Sequence, residues 1–450
     1  MFGNFRSKDT SANHGDKPEL LASLPEVHSS IAVPEGAGFW KKMMAFTGPG
    51  LLVAVGYIDP GNWATDIEGG SRYGYTLLSV ILISNIFAML LQHLSLKLGI
   101  ATGRDLAQAC RDYYTRPVSF LLWILAEIAI AATDLAEVIG SAIALNLLFG
   151  LPLPVGVIFT ALDVLLVLYF QQKGFRIIES IVASLMGLIL LCFAYEMFVS
   201  QPSVAKMLGG LIPKTEIVTD PGMLYIAIGI LGATVMPHNL YLHSSIVQTR
   251  NFNKDYDGKK SAIKFATIDS TVSLGLAFFI NGSILILAAA AFHNNGHFAI
   301  ADITDAYHLL DPVLGVSLAS VFFALALLAS GQSSTLTGTL AGQIVMEGFL
   351  NIRLKPWLRR LLTRGIAIIP ALVVAIMYGE RGTAELLVLS QVILSLQLSF
   401  AVVPLVFLTS KKAIMGRFVN SEILRVISWI ISLVIIGLNI FLLYQTFFVD

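Results

Sequence analysis

The stretch GYIDPGNW, Gly56 to Trp63, follows the apolar run GLLVAV at a point where a membrane-crossing helix should be well under way. An acid, a proline, a glycine and an amide each cost free energy in hydrocarbon, on the order of 3 kcal/mol for the acid alone. Proline removes an amide donor and blocks the carbonyl one turn back, and glycine permits an unwound backbone. A simple proline kink needs none of the flanking polar groups, so the stretch reads as a deliberate break whose side chains converge on something bound.

Composition establishes that hydrocarbon is the setting. Of 450 residues, 56% are hydrophobic and 13% charged, whereas soluble domains carry nearly twice that share of charge. Apolar runs able to cross roughly 30 Å of lipid recur along the chain, which predicts an all-α integral membrane protein rather than a barrel of short strands. Spans are expected near 44–69, 75–100, 117–148, 152–171, 176–199, 222–248, 264–293, 312–340, 360–379, 383–409 and 423–448. The polar segment 1–43 lacks the apolar core and small-residue cleavage pattern of a secretory signal and reads as a flexible cytoplasmic tail. With the amino terminus inside, only Arg72, Lys206, Lys214 and Arg381 of the 29 basic residues fall outside, so the positive-inside rule supports both this count and an extracellular carboxyl end. A formal net charge of zero implies no nucleic-acid partner. Cys110 and Cys192 have no CxxC or CxxH context, so neither a disulfide framework nor a thiolate metal site is expected.

The sixth hydrophobic segment carries its own interruption, ATVMPHNLYLHS, Ala233 to Ser244. Asp59-Pro60-Gly61-Asn62 and Met236-Pro237-His238-Asn239 share the pattern x-Pro-x-Asn, each three residues after a small residue, Gly56 or Ala233. The second break comes five helices after the first. An odd offset makes the two halves enter the membrane from opposite faces, which is an inverted 5+5 repeat with an additional eleventh helix. The repeats are expected at 44–199 and 222–409, separated by an extracellular loop at 200–221 and followed by a cytoplasmic loop and the last helix at 410–450.

Asp59 offers a hard anionic oxygen, Asn62 an amide oxygen, Met236 a thioether and Ala233 a freed carbonyl, and together they would bind a cation. A hard alkaline-earth ion gains little from sulfur, whereas Mn, Fe, Co and Cd ions accept a mixed oxygen and thioether shell. Gln391 in the tenth helix is a further candidate contact. In LAEIAIAATDLAEVIG, Glu127, Asp134 and Glu137 are spaced seven and three apart and share one helical stripe, as a proton or ion route would require. His238 and His243 flank the second break and can accept or relay protons near neutral pH. Their spacing is not that of a zinc protease, which disfavours a membrane hydrolase. Asn85, Thr234 and Asn281, with His243, are expected to support the site from around it. Asp163 and Asp269 read as glue between helices.

DPGN in the first helix with MPHNLYLHS in the sixth resembles the Nramp family of divalent metal transporters. A third block, GQSSTLTGTLAGQIVMEGFLNIRL from Gly331 to Leu354 followed by the run ending at Arg364, is similar to that family's eighth helix, loop and ninth helix. The resemblance implies a LeuT-like fold with helices one and six unwound mid-membrane. It also implies import of Mn or Fe ions, with Cd and Co accepted, alongside protons moving in the same direction across the cell membrane, with no cofactor and no obligate protein partner. Carried over by residue, the metal ligands would be Asp59, Asn62, Met236 and the Ala233 carbonyl. The proton route would involve Asp59, His238, Asp134 and Glu137, with Arg359 and Arg360 as salt-bridge partners. One departure is Ser399, where the family's QLPF pattern has proline. The competing reading within the same fold is a sodium-coupled organic-solute symporter, which would surround its substrate with hydroxyls and need no thioether beside an acid.

Overall fold

The computed structural model describes residues 22–25, 27–34, 36–162, 169, 173–298, 300, 302–316, 318–352 and 355–448. A short helix α1 (Phe39–Phe46) leads into α2 (Pro49–Gly56) and α3 (Pro60–Tyr73), the two halves of the first crossing. Then follow α4 (Leu78–Thr102), a short α5 (Leu106–Tyr113), α6 (Arg116–Phe149), α7 (Leu153–Phe159) and α8 (Phe175–Ser200). The second repeat opens with another split crossing, α9 (Pro221–Thr234) and α10 (Pro237–Ile246). It continues through α11 (Tyr256–Ala291), α12 (Ile303–Leu314), α13 (Ala319–Leu350), α14 (Pro356–Met377) and α15 (Gly379–Thr409), and α16 (Glu422–Phe448) closes the chain. Among the described residues, eight helices are long and apolar enough to cross a membrane, and Leu153–Leu162 and Arg364–Met377 are shorter apolar helices. The remaining crossing is the split pair α2 and α3. The inverted repeat read from the two breaks is therefore present as an all-helical, multi-pass LeuT-like architecture.

Each break is made by local capping chemistry rather than by a bent helix. Asp59 is the N-cap of α3, with its carboxylate accepting from the Asn62 amide at 3.0 Å and Pro60 at the first helical position, where the missing N–H costs nothing. Pro237 plays the same part for α10, with Met236 in extended conformation as its cap. The carbonyls freed at the first break are taken up by side chains. Asn281 donates to Tyr57 O at 2.8 Å, Trp63 donates to Ile58 O at 3.2 Å, and Ser330 also donates to Ile58 O. Backbone polar groups at this depth have no water to turn to, so these three side chains are what make the break tolerable.

The breaks lie inside a helical cage. α11 packs on α2, α3 and α4, while α13 runs along α6 and α8, and α15 lies on α6 and α9. Trp63, fully buried, wedges between Phe193 and Phe323, with ring centroids 5.1 Å away in each case. Asp269, expected as interhelical glue, has a specific task. It accepts from Gly50 N at 2.7 Å and Gly48 N at 3.4 Å, capping the start of α2, where a carboxylate also complements the helix dipole. Both cysteines are buried and free. Asp163 lies outside the described residues.

Several boundaries differ from expectation, the seventh crossing starting at Tyr256 rather than 264. The eighth crossing was expected at 312–340 but is α13, Ala319–Leu350, and residues 312–314 belong to the separate helix α12. Within this crossing the hydroxyls of the Ser- and Thr-rich run bond back to the helix: Ser334 to Ser330 O at 3.0 Å, Thr337 to Ser334 O at 2.8 Å and Thr339 to Thr335 O at 2.6 Å. This satisfies them without water. At the Ser399 departure, α15 continues unbroken. Asn439 of α16 donates to Ser395 O at 2.7 Å and to Ser399 Oγ at 3.3 Å, pinning the last helix across the position.

Candidate functional site

The two x-Pro-x-Asn motifs reach across to one another. Asn62 of the first donates to Ala233 O at 3.0 Å. Asn239 of the second lies against Gly56, where an added Cβ would come within 2.4 Å of Nδ2. Each asparagine thus touches the small residue that precedes the opposite break. This reciprocity is what a two-fold related pair of half-helices produces.

At the centre, the Asn62 Nδ2 group donates to Asp59 Oδ1 at 2.7 Å and to Ala233 O at 3.0 Å. Asn281 Nδ2 stands 3.4 Å from Asn62 Oδ1. An amide NH2 holding two oxygens together does for them what a cation would do, and rotation of the amide turns its oxygen inward instead. Asp59 is fully buried and its Oδ2 has no partner; neither have Thr234 Oγ1, Asn281 Oδ1 or Gln391 Oε1. Unpaired buried oxygens are costly, and these four belong to residues expected at or around the cation site. Gln391 reaches the same point, since a Cβ on Gly61 would lie 1.7 Å from its Nε2. Only a glycine allows that approach. Met236 is fully buried beside Ala129, Ala132 and Leu394, between α6 and α15. Asn85 is buried on α4. Among the described residues no three His, Cys, Asp or Glu side chains group as a metal centre. The available donors are carboxylate, amide, carbonyl and thioether.

His238 Nδ1 lies 3.2 Å from Thr133 Oγ1 on α6, with Nε2 unpartnered. Farther along α6, Asp134 and Glu137 are buried beside one guanidinium. Arg364 Nη1 is 3.2 Å from Glu137 Oε2 and 3.7 Å from Asp134 Oδ1. Thr335 donates to Glu137 Oε2 at 3.0 Å and accepts from Arg364 at 3.2 Å. Among the described residues Arg364, one helical turn beyond Arg360, makes the ion pair with these acids. The side chains of Arg359 and Arg360 lie outside the described residues. Glu127 shares the stripe but is only half-buried and accepts from Trp123 Nε1 at 3.0 Å. His243 is in a different chain of contacts: its Nδ1 lies 2.9 Å from Gln92 Oε1, and Gln92 donates to the Tyr57 hydroxyl at 2.8 Å. Asn239, Gln92, Thr133 and Arg364 were not singled out from sequence. Asn239 had a visible signal, its equivalence to Asn62 in the repeated motif.

Residues 50–445 match the model of the natural resistance-associated macrophage protein-like (Nramp) family. The chain belongs to that family. It is 64% identical over 430 residues to the divalent metal cation transporter MntH of Listeria welshimeri, covering 96% of each chain. It is similar to the crystal structure of a manganese transporter from Eremococcus coleocola, at 42% identity and a TM-score of 0.88, over 95% of this chain and 92% of that one. The transporter Mhp1 of the nucleobase-cation-symport-1 family, at 16% identity and a TM-score of 0.59 over 94% of this chain and 96% of that one, shares the fold alone. The Nramp chain thus has its two breaks, with Asp59 and Met236 capping the half-helices that follow them, within a family fold.

Proposed function

We propose that this Nramp protein is a secondary transporter that imports divalent transition-metal ions of the Mn and Fe type, with Cd and Co accepted, in symport with protons by alternating access. The observation that carries the reading is the Asn62 amide bridging Asp59 and the Ala233 carbonyl across the two breaks. Asp59, Asn62 and the Ala233 carbonyl are joined by the Asn62 NH2 group, which an arriving divalent ion would displace as the amide turns its oxygen inward. Asp59 Oδ2 remains to bind it. Met236 supplies a soft donor that Mn, Fe and Cd ions use and that Ca and Mg ions do not. The names of the Listeria and Eremococcus relatives support the same substrate class.

Proton coupling rests on the route from Asp59 past His238 to Asp134 and Glu137. Metal binding requires Asp59 as a carboxylate, so arrival of the ion releases any proton held there. His238, two residues beyond Met236, is poised to take it up, and the buried acids beside Arg364 extend the route along α6. The amino terminus is cytoplasmic and the carboxyl end extracellular, in keeping with the distribution of basic residues. The test is uptake by purified protein in liposomes. Mn and Cd should enter under an acid-outside gradient and acidify the lumen as they do so. Absence of metal uptake would refute the substrate, and uptake without lumenal acidification would refute the coupling.

A further inference from the structure

The described residues between 22 and 34 lie along the cytoplasmic ends of the helices and connect elements from different parts of the fold. At one end Leu24 is buried, with 2% of its surface exposed, and its backbone N–H donates to Glu347 Oε2 at 3.0 Å in the last turn of α13. At the other end Ser29 N donates to Gln248 O at 2.9 Å. Ile31–Ala32 (β1) then pairs in parallel with Arg250–Asn251 (β2), and Val33 N donates to Asn251 O at 3.1 Å. β2 follows the inner half-helix α10 after a single 3-10 turn, Val247–Thr249. Its Arg250 side chain, fully buried, holds the entry to the other inner half-helix, donating to Ala45 O at 3.0 Å and Thr47 O at 2.8 Å, and bonding Glu179 of α8 at 2.6 Å. The segment therefore ties α13 to the point where α2 and α10 are both anchored.

The backbone of this segment is strained. Leu24 and Ser29 have φ of 53° and 54°, in the left-handed region that L-residues avoid. Such conformations persist only where surrounding contacts impose them, and they concentrate at elements that switch. A β-pair of two residues, the buried Ser23, Leu24 and Ile31 and a few backbone hydrogen bonds form a fastening that contains no helix. It can be undone without unfolding a helix.

We propose that this segment is a cytoplasmic strap that holds the inner half-helices α2 and α10 against α13, and that it detaches at one end each time the site opens inward. The inference rests on the alternating-access reading above. A site between two broken helices opens to the cytoplasm only if their inner halves move relative to the helices beside them. A strap fastened to both sides cannot stay fastened through that movement.

The test uses the full-length chain with Cys110 and Cys192 replaced and a reporter cysteine, Val55→Cys, on α2, where Val55 is fully buried. Leu24→Ala with Val33→Pro removes the buried anchor and one strand hydrogen bond. In inside-out vesicles, labelling of the reporter by an impermeant maleimide should rise about tenfold, the factor that corresponds to about 1.4 kcal/mol. Unchanged labelling would overturn the strap. A second measurement needs no substitution: hydrogen exchange of Ser29 and Val33 amides in liposomes should quicken when Mn is supplied and the protein cycles. Protection that stays constant while the reporter becomes accessible would also overturn it. Calorimetry with Mn on both chains separates the two readings. Loss of Mn binding in the strap-intact chain counts against the substrate, whereas the labelling ratio reads the strap regardless.

Discussion

Replacing Arg364 with methionine keeps most of the side-chain volume and removes the charge. The guanidinium is 2% exposed and sits 3.2 Å from Glu137 and 3.7 Å from Asp134, both buried. Without it two buried carboxylates lose the guanidinium that lies beside them. Breaking a buried pair by deleting one partner costs about 3–5 kcal/mol, because the remaining charge is uncompensated. With about 2.1 cal/mol/K of unfolding entropy per residue, a chain of 450 residues loses about 1 °C of Tm per kcal/mol, so Arg364→Met should lower Tm by about 3–5 °C. Thermal unfolding of detergent-purified protein, followed by size-exclusion recovery, reads this directly. The decisive quantity is the double-mutant cycle with Glu137→Gln, which removes the carboxylate that needs the cation. The double variant should recover about 2 kcal/mol relative to the sum of the single losses. Additivity within about 0.5 kcal/mol, the range for independent sites, would refute the claim that Arg364 compensates Glu137, and with it the extension of the proton route along α6.

Two substitutions address the site itself. Met236→Ala should leave Mn uptake within about threefold while Cd uptake falls about tenfold and Ca begins to compete, as expected on loss of a soft donor; equal loss for all ions would remove the thioether from selectivity. Gly61→Ala places a Cβ 1.7 Å from Gln391 Nε2, an overlap that should cost about 1–3 kcal/mol and weaken Mn affinity in calorimetry, and an unaltered affinity would mean that Gln391 can withdraw without consequence for the ion.

How much was legible in the sequence follows from which interactions are local. Asp59 and Pro60 are a helix start written in adjacent residues, as are Met236 and Pro237, because capping depends on the first turn of the helix and on little else. The same holds for the hydrophobic length of each crossing and for the stripe that brings Asp134 and Glu137 onto one face of α6. The end of the eighth crossing, expected at 340 and found at Leu350, lies in a stretch whose polar Gln343 and Glu347 are buried in α13, a burial that only its packing against other helices decides.

The sequence by itself determined that two crossings are broken, that the breaks correspond, and that oxygen donors and one sulfur lie at them. Only the tertiary structure decided which groups meet. Asn62 bonds Ala233 from 171 positions away, Arg364 answers the acids of α6, and a segment before the first crossing fastens to the end of the eighth. Contacts between helices depend on crossing angle and depth in the bundle, and a one-turn shift along a helix, invisible in a pattern that repeats every turn, selects a different partner.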